Sequence, residues 1–200
     1  MRKHLVRFGL LGSLLAAALL VGAPTGDALA QPKKADPKAE PKKGGTFRIG
    51  LGSGATTDTL DPALFPDSFN GVYGSGTLRS TLTEVTPDGK VVGDVAESFE
   101  ASPDAKTWVV KLKKGVEFHN GKSLEAADVI ASYNHHRSED SKSAAKSLLK
   151  PLVDIKADGK DTIVFTLDGG NADFPYLISD FHLNILPAVD GKADALSGVG

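Results

Sequence analysis

The sequence contains no cysteine, one methionine, one tryptophan and three tyrosines among its 200 residues. The lack of cysteine excludes disulfide bonds, thiolate metal sites and a cysteine nucleophile. A chain without disulfides depends on its hydrophobic core, which favours a large mixed fold over a small cross-linked one. Hydrophobic residues make up 40% and charged residues 24% of the chain, a composition typical of globular proteins.

The first 30 residues have the features of a secretory signal peptide. Three basic residues accompany the apolar run of residues 8–23, and Ala28-Leu29-Ala30 matches an A-x-A cleavage site. The alternative is an uncleaved anchor, but the run is short for a membrane span and contains glycines. We therefore predict cleavage after Ala30 and a mature protein in the periplasm.

Charge along the chain is uneven. Residues 31–43 carry five lysines, two acids and three prolines without a large apolar side chain, which predicts a disordered leader. A basic tether that touches anionic lipid is the alternative to a plain spacer. From Gly44 onward the net charge is −7, with 15 basic and 22 acidic residues. An acidic body argues against a nucleic-acid partner, because such partners need a basic surface.

Turn signals and periodicity predict a hairpin-rich chain. Apolar alternation predicts a strand at residues 46–51, and a short strand that ends before Pro187 is predicted at residues 183–186. The Gly- and Thr-rich composition of residues 52–62 predicts a loop. Hairpins are predicted around three turns, at residues 87–89, 102–105 and 158–161. Helical segments are predicted at residues 69–80, 124–137, 144–149 and 174–179. The pattern is α+β in the middle rather than a regular βαβ alternation.

The helix at residues 124–137 is the strongest of these predictions. Ser123 is the predicted N-cap. The apolar residues recur at helical spacing and are expected to form its buried stripe, namely Ala126, Val129, Ile130 and Tyr133.

Motifs for catalysis, cofactors or metals are weak. Gly50-Leu-Gly52-Ser-Gly54-Ala55 matches a relaxed dinucleotide fingerprint, but no helix start and no acidic residue follow at the required spacing. His135 and His136 are adjacent, so on a helix they point about 100° apart and cannot chelate one metal from one face. His119 lies at a predicted turn, where a hydrogen bond to the backbone is favoured over catalysis. We therefore predict no enzyme activity, no cofactor and no metal.

Several segments match, in order, the motifs of one protein family. The block from Val95 to Trp108 matches L-A-E-S-W and S-P-D-G-x-T-W, with Ala105 in place of the turn glycine. Residues 110–121 match F-x-L-R-K-G-V-K-F-H-D-G, with Asn120 in place of aspartate, and residues 126–129 match the helix opening A-x-D-V. The opening strand and Leu60-Asp61-Pro62 match the start of the family's mature domain. Taken together, these segments resemble the solute-binding proteins of peptide and nickel ABC importers, family 5.

The resemblance implies a type II periplasmic-binding-protein-like α/β fold, of which this chain holds lobe I only. Its expected parts are residues 44–82 as the start of lobe I, residues 83–185 as a hairpin-rich subdomain, and residues 186–200 as a truncated return towards lobe I. Family members are longer and have a second lobe that contributes an acidic residue for the α-amino group of a peptide. No residue of this chain can inherit that role.

The resemblance also implies a function, namely capture of a peptide or similar small ligand for a membrane permease by a monomeric protein. Small polar groups of the loop at residues 52–59 can cradle such a ligand. The candidate contacts are Ser53, Gly54, Thr56 and Asp58. A flexible linker, with Asp58 capping backbone N–H groups and Asp61-Pro62 starting a turn, is the alternative. Relatives carry peptides, nickel complexes, opines or oligosaccharides. An exported adaptor and an exported hydrolase remain alternative functions.

Overall fold

The computed structural model describes residues 43–52, 54–66, 71–72 and 74–200. The predicted signal peptide and nearly all of the predicted leader lie outside the described residues. Residues 48–200 form one compact unit. Within the described part of the chain, no helix combines the length and the apolar character that crossing a membrane requires.

Within the described residues, eight strands form three antiparallel sheets. The strands are β1 (Thr83–Val85), β2 (Val91–Gly93), β3 (Ala96–Ala101), β4 (Thr107–Leu112), β5 (Leu152–Ala157), β6 (Thr162–Leu167), β7 (Ala188–Val189) and β8 (Lys192–Ala193). The central sheet has the order β3-β4-β6-β5, while β1-β2 and β7-β8 are separate hairpins. The three hairpins predicted from turn signals are confirmed, and the α+β character of the middle is confirmed with them.

The helices are short apart from one. α1 (Ala126–Arg137) is followed by α2 (Phe174–Leu177), with 3-10 turns at Pro62–Leu64 and Ala144–Ser147 and a π-helical turn at Gly74–Leu78. The helical predictions at residues 144–149 and 174–179 are therefore confirmed in shortened form. The prediction at residues 69–80 is confirmed in part, because residues 69, 70 and 73 lie outside the described residues.

The core lies between α1 and one face of the central sheet. Alternate residues of β4 and β6 point to that face, and all of them are buried, namely Trp108, Val110, Leu112, Ile163, Phe165 and Leu167. Trp108 is paired with Phe165 and Val110 with Ile163 across the two strands. Tyr133 of α1 packs edge-on against Phe165 with ring centroids 5.2 Å apart. Aromatic pairs of this geometry add roughly 0.5–1.5 kcal/mol to the area they bury.

The start of α1 differs from the prediction. Ser123 is not the N-cap, because it pairs with Glu117 in an isolated bridge, and the helix begins after Glu125. Asp128, in the first turn, accepts a hydrogen bond from Glu125 N at 2.9 Å. A carboxylate there satisfies an N–H group that has no partner within the helix and complements the helix dipole.

The buried stripe of α1 is confirmed but incomplete. Ala126, Val129 and Tyr133 are buried, while Ile130 is partly buried. A second set of buried side chains on α1 is polar, namely Asp128, Ser132 and His136. These three face chain segments other than the sheet, so α1 is covered on more than one side.

Two predicted strands are wrong. Residues 46–51 are not a strand, because no strand among the described residues hydrogen-bonds to this segment. The side chain of Phe47 is 86% exposed. Residues 183–186 are also irregular, although Leu183 and Ile185 are buried. There the backbone bonds to Ser80 and to the Ser132 side chain instead of to a neighbouring strand. Apolar alternation fits a strand, but a strand also needs a hydrogen-bonded partner.

The β3–β4 turn holds Ala105 in the left-handed region, with φ of 53°. That conformation costs a non-glycine residue roughly 1–2 kcal/mol. The turn is nevertheless well bonded, with Ser102 O accepting from Ala105 N at 2.8 Å and Ser102 Oγ bonding Asp104 at 2.6 Å.

We predict that Asp128→Ala lowers the free energy of unfolding by about 3 kcal/mol, because it strips buried N–H groups of their acceptor and Lys122 of its ion pair. Urea denaturation measures the change. The matched control is Glu97→Ala, which removes an exposed carboxylate and should change stability by less than about 0.5 kcal/mol. A loss below about 1 kcal/mol for Asp128→Ala would contradict this role.

We predict that Ala105→Gly raises the free energy of unfolding by about 0.5–1 kcal/mol, since relief of the left-handed strain exceeds the added chain entropy. Thermal and urea denaturation give the value. Ala101→Gly, at the exposed end of β3 where φ is negative, is the control and should destabilise. Equal destabilisation by both glycines would show that the turn carries no strain.

Candidate functional site

The predicted binding loop is exposed and folds back on itself. Gly54, Thr56 and Asp58 are exposed, and Ser53 lies outside the described residues. Asp58 Oδ2 accepts a hydrogen bond from Ala55 N at 2.9 Å, and Asp58 N donates to Ala55 O at 3.1 Å. The capping alternative for Asp58 is therefore confirmed, while ligand contact by these residues stays a prediction.

The chain directly after the loop is firmly anchored. Asp61 Oδ1 caps the 3-10 turn by accepting from Ala63 N at 2.9 Å and also bonds His135 Nε2 at 2.8 Å. Four residues further on, Phe65 O bonds His182 Nε2 at 3.3 Å. Asp61-Pro62 is thus the predicted turn initiator, and two distant histidines hold the turn in place.

Arg79 is a second anchor of the same region, and the sequence pattern did not predict it. Its side chain is buried, and its guanidinium donates to Leu60 O, to Ala195 O at 3.1 Å and to Val199 O at 3.4 Å. A planar guanidinium with five N–H donors suits this task. The backbone that follows the loop of residues 54–58 is therefore fixed at Leu60, whose carbonyl oxygen accepts from Arg79.

Three histidines and two aspartates gather around this anchored turn. His135 pairs with Asp61, and His182 Nδ1 pairs with Asp180 Oδ1 at 2.7 Å. His136 lies between these pairs and is fully buried, whereas His135 is partly exposed. In the described part of the chain, no three His, Cys, Asp or Glu side chains are arranged to hold a metal ion.

The pKa values of this cluster follow from burial and pairing. Burial lowers the pKa of His136 to about 4, with the nearby charge of His135 adding to the effect. For Asp61, burial raises the pKa, but hydrogen bonds from His135 and Ala63 and the neighbouring histidine charges together bring the pKa below its ordinary value. The pKa of Asp180 is lowered in the same way, with burial opposed by hydrogen bonds from His182.

An open cleft of about 500 Å³ is lined by the π-helical turn, by Arg79 and by residues 116–119. Its acidic lining residues are Glu84, Asp94 and Glu117, and His119 also lines it. Asp94 Oδ2 is engaged by Thr81 N at 2.9 Å. His119 bonds backbone groups of Gly200, as expected for a turn histidine. Of the predicted contacts, the three that the structure describes (Gly54, Thr56 and Asp58) do not line this cleft.

Comparison with known proteins decides the family. Residues 90–198, more than half of the chain, match the model of bacterial extracellular solute-binding proteins, family 5 Middle. The chain belongs to this family. The resemblance and the fold class predicted from the sequence are confirmed. The family is one of solute-binding rather than catalytic proteins, and it is extracytoplasmic.

Individual relatives agree with the assignment. The chain is 26% identical to the oligopeptide-binding protein AppA of Bacillus subtilis over 87% of its own length and 32% of that protein. It is 28% identical to the nickel-binding periplasmic protein of Escherichia coli over 59% of its length and 22% of that protein. The chain spans a third or less of these relatives.

A solved structure shows the shared fold. The chain is similar to the binding protein AgaA of A. tumefaciens R10, solved with agropinic acid, with a TM-score of 0.62 and 27% identity. The match covers 65% of this chain and 26% of AgaA. The fold is therefore that of part of a type II periplasmic binding protein.

We predict that stability falls as the pH drops from 6.5 towards 4, because the unfolded chain then binds a proton that buried His136 refuses. The sign follows from linkage, and the loss reaches about 3 kcal/mol near pH 4. The lowered pKa values of Asp61 and Asp180 change the free energy of unfolding only below this pH range, because carboxylates in the unfolded chain ionise near pH 4. Urea denaturation across the pH range measures the slope.

The variant His136→Gln should flatten this slope between pH 6.5 and 4.5. His119→Gln removes an exposed histidine and is the control, expected to keep the wild-type slope. If His136→Gln unfolds with the same pH dependence as the wild type, His136 is not the group responsible.

Proposed function

We propose that the protein carrying this chain is the solute-binding component of an ABC importer, which captures a peptide or a similar small ligand outside the cytoplasm. The observation that carries the proposal is membership in family 5 over residues 90–198. Two relatives support the class of ligand by name, one binding oligopeptides and one nickel, and AgaA binds agropinic acid. A peptide is the preferred ligand because the oligopeptide-binding relative matches most of the chain.

The geometry supports a division of labour within the chain. The fixed backbone of residues 60–65 bears the exposed loop, so Ser53, Gly54, Thr56 and Asp58 are proposed to contact the ligand from lobe I. Residues 44–82 and 186–200 are proposed to belong to lobe I, with residues 83–185 as the subdomain beside it. Closure of a second lobe over the ligand would complete the site and present the ligand to a membrane permease.

Export and the lack of catalysis are part of the same proposal. The features of residues 1–30 support cleavage after Ala30 and release into the periplasm. A serine hydrolase would need an accessible serine hydroxyl beside a histidine base. Among the described residues, the serine in such a pair is Ser143, whose Oγ lies 2.7 Å from His136 Nδ1. Both side chains are buried, so a substrate could not reach that nucleophile.

The second candidate is an exported adaptor that uses the fold without transport. It would bind another protein and no small solute. The neighbouring genes separate the two functions, since a permease and an ATPase encoded alongside favour transport.

We predict that a small peptide co-purifies with the protein when it is isolated from the periplasm. Native mass spectrometry identifies the bound mass, and a panel of di- and oligopeptides should raise the melting temperature. Binding to the native state at 100 times Kd adds about 2.7 kcal/mol to stability. The control is the same measurement with free amino acids in place of the peptides. Absence of any bound solute and of any stabilisation across the panel would contradict the peptide proposal.

A further inference from the structure

One face of α1 forms a ladder of hydrogen bonds with the segment of residues 184–188. Asp128 Oδ1 accepts from Ala188 N at 2.6 Å, and four residues further along the helix Ser132 Oγ accepts from Leu186 N at 2.9 Å. Four residues of helix advance about 6 Å, and two residues of extended chain advance about 6.6 Å. The helix and the segment therefore run antiparallel and in step.

Continued by one more step of the same length, the ladder places His136 opposite Asn184. His136 follows Ser132 by four residues, and Asn184 precedes Leu186 by two. The alternation of the segment supports this placement, because Ile185 N points to the other edge and donates to Ser80 O at 2.9 Å. Both residues of the third rung are fully buried.

Unlike the first two rungs, the third rung has buried polar atoms without a partner. They are His136 Nε2, both amide atoms of Asn184, and Oη of Tyr133, which lies one helical turn before His136. No other buried side-chain nitrogen or oxygen atom among the described residues lacks a hydrogen-bond partner. Leaving such a group unsatisfied destabilises a fold, so four such atoms on residues that the ladder places together need a common explanation.

We assign the proton of the neutral His136 ring from the hydrogen bonds of Ser143. Ser143 Oγ accepts from Ala145 N at 3.1 Å and has its own proton left to donate. His136 Nδ1, at 2.7 Å, is the acceptor that this proton can reach. In this assignment the neutral ring carries its hydrogen on Nε2, and this N–H has no acceptor among the described residues.

We propose that the third rung holds one buried water molecule, which accepts a hydrogen bond from His136 Nε2 and is shared with Tyr133 Oη and the amide of Asn184. Buried waters typically make about three hydrogen bonds to polar groups that the protein leaves unsatisfied, and the rung offers that number of residues. The water acts as the third cross-link between α1 and the segment that leads from His182 to β7. It thus links α1 to the segment that starts at His182, the residue whose Nε2 bonds Phe65 O.

Oxygen-17 magnetic relaxation dispersion counts long-lived internal waters and tests this site directly. We expect the wild type to contain one more such water than Asn184→Leu, whose apolar side chain removes two partners of the water. Asn171→Leu is the matched control, since Asn171 is only partly buried and its side chain accepts from Asp173 N. The control should keep the wild-type count.

Tyr133→Phe serves as a second variant should Asn184→Leu fail to fold, because it removes a single oxygen. It should shorten the residence time of the water at least tenfold. A crystal structure should show one solvent peak within hydrogen-bond distance of His136 Nε2. A direct bond between Asn184 Oδ1 and His136 Nε2 with no solvent peak, or an unchanged count and residence time in both variants, would overturn the proposal.

Discussion

The buried carboxylate of Asp128 is the interaction on which the arrangement of this subdomain depends. No water reaches the side chain, so its oxygens must be satisfied by Lys122, by Glu125 N at 2.9 Å and by Ala188 N at 2.6 Å. These donors come from the turn before α1, from the helix start and from the first residue of β7. One residue therefore fixes where the helix begins and where the returning chain crosses it. A buried charge is costly unless all of its partners are in place, so the arrangement has little freedom.

The backbone next to the exposed loop is held by a rigid frame. Leu60 is held by Arg79, Asp61 by His135 and Phe65 by His182, so the backbone on one side of the exposed loop is fixed through buried or partly buried groups. Loops that bind ligands are most effective when a stable scaffold positions them. The proposed ligand contacts at residues 54–58 would thus be placed on such a scaffold.

Sequence reasoning succeeded where the signal was local. The hairpins were predicted correctly because Pro-Asp-Gly and Ser-Pro-Asp turns lie between apolar runs. It failed at residues 46–51, because strand formation depends on a partner that the pattern does not reveal. The Asp61–His135 pair joins residues 74 positions apart, so no local pattern could predict it. Asp128 was visible in the A-x-D-V motif, but its burial became clear only with the fold.

The central claim is that the exposed loop on this anchored frame contacts a captured solute. Hydrogen–deuterium exchange of the protein with and without the co-purified ligand tests this claim most directly. The account predicts slower exchange at residues 54–59 on binding, with little change in the β3–β4–β6–β5 sheet, which is already protected by its core. Unchanged exchange in the loop, with protection confined to the outer surface of the sheet, would contradict it.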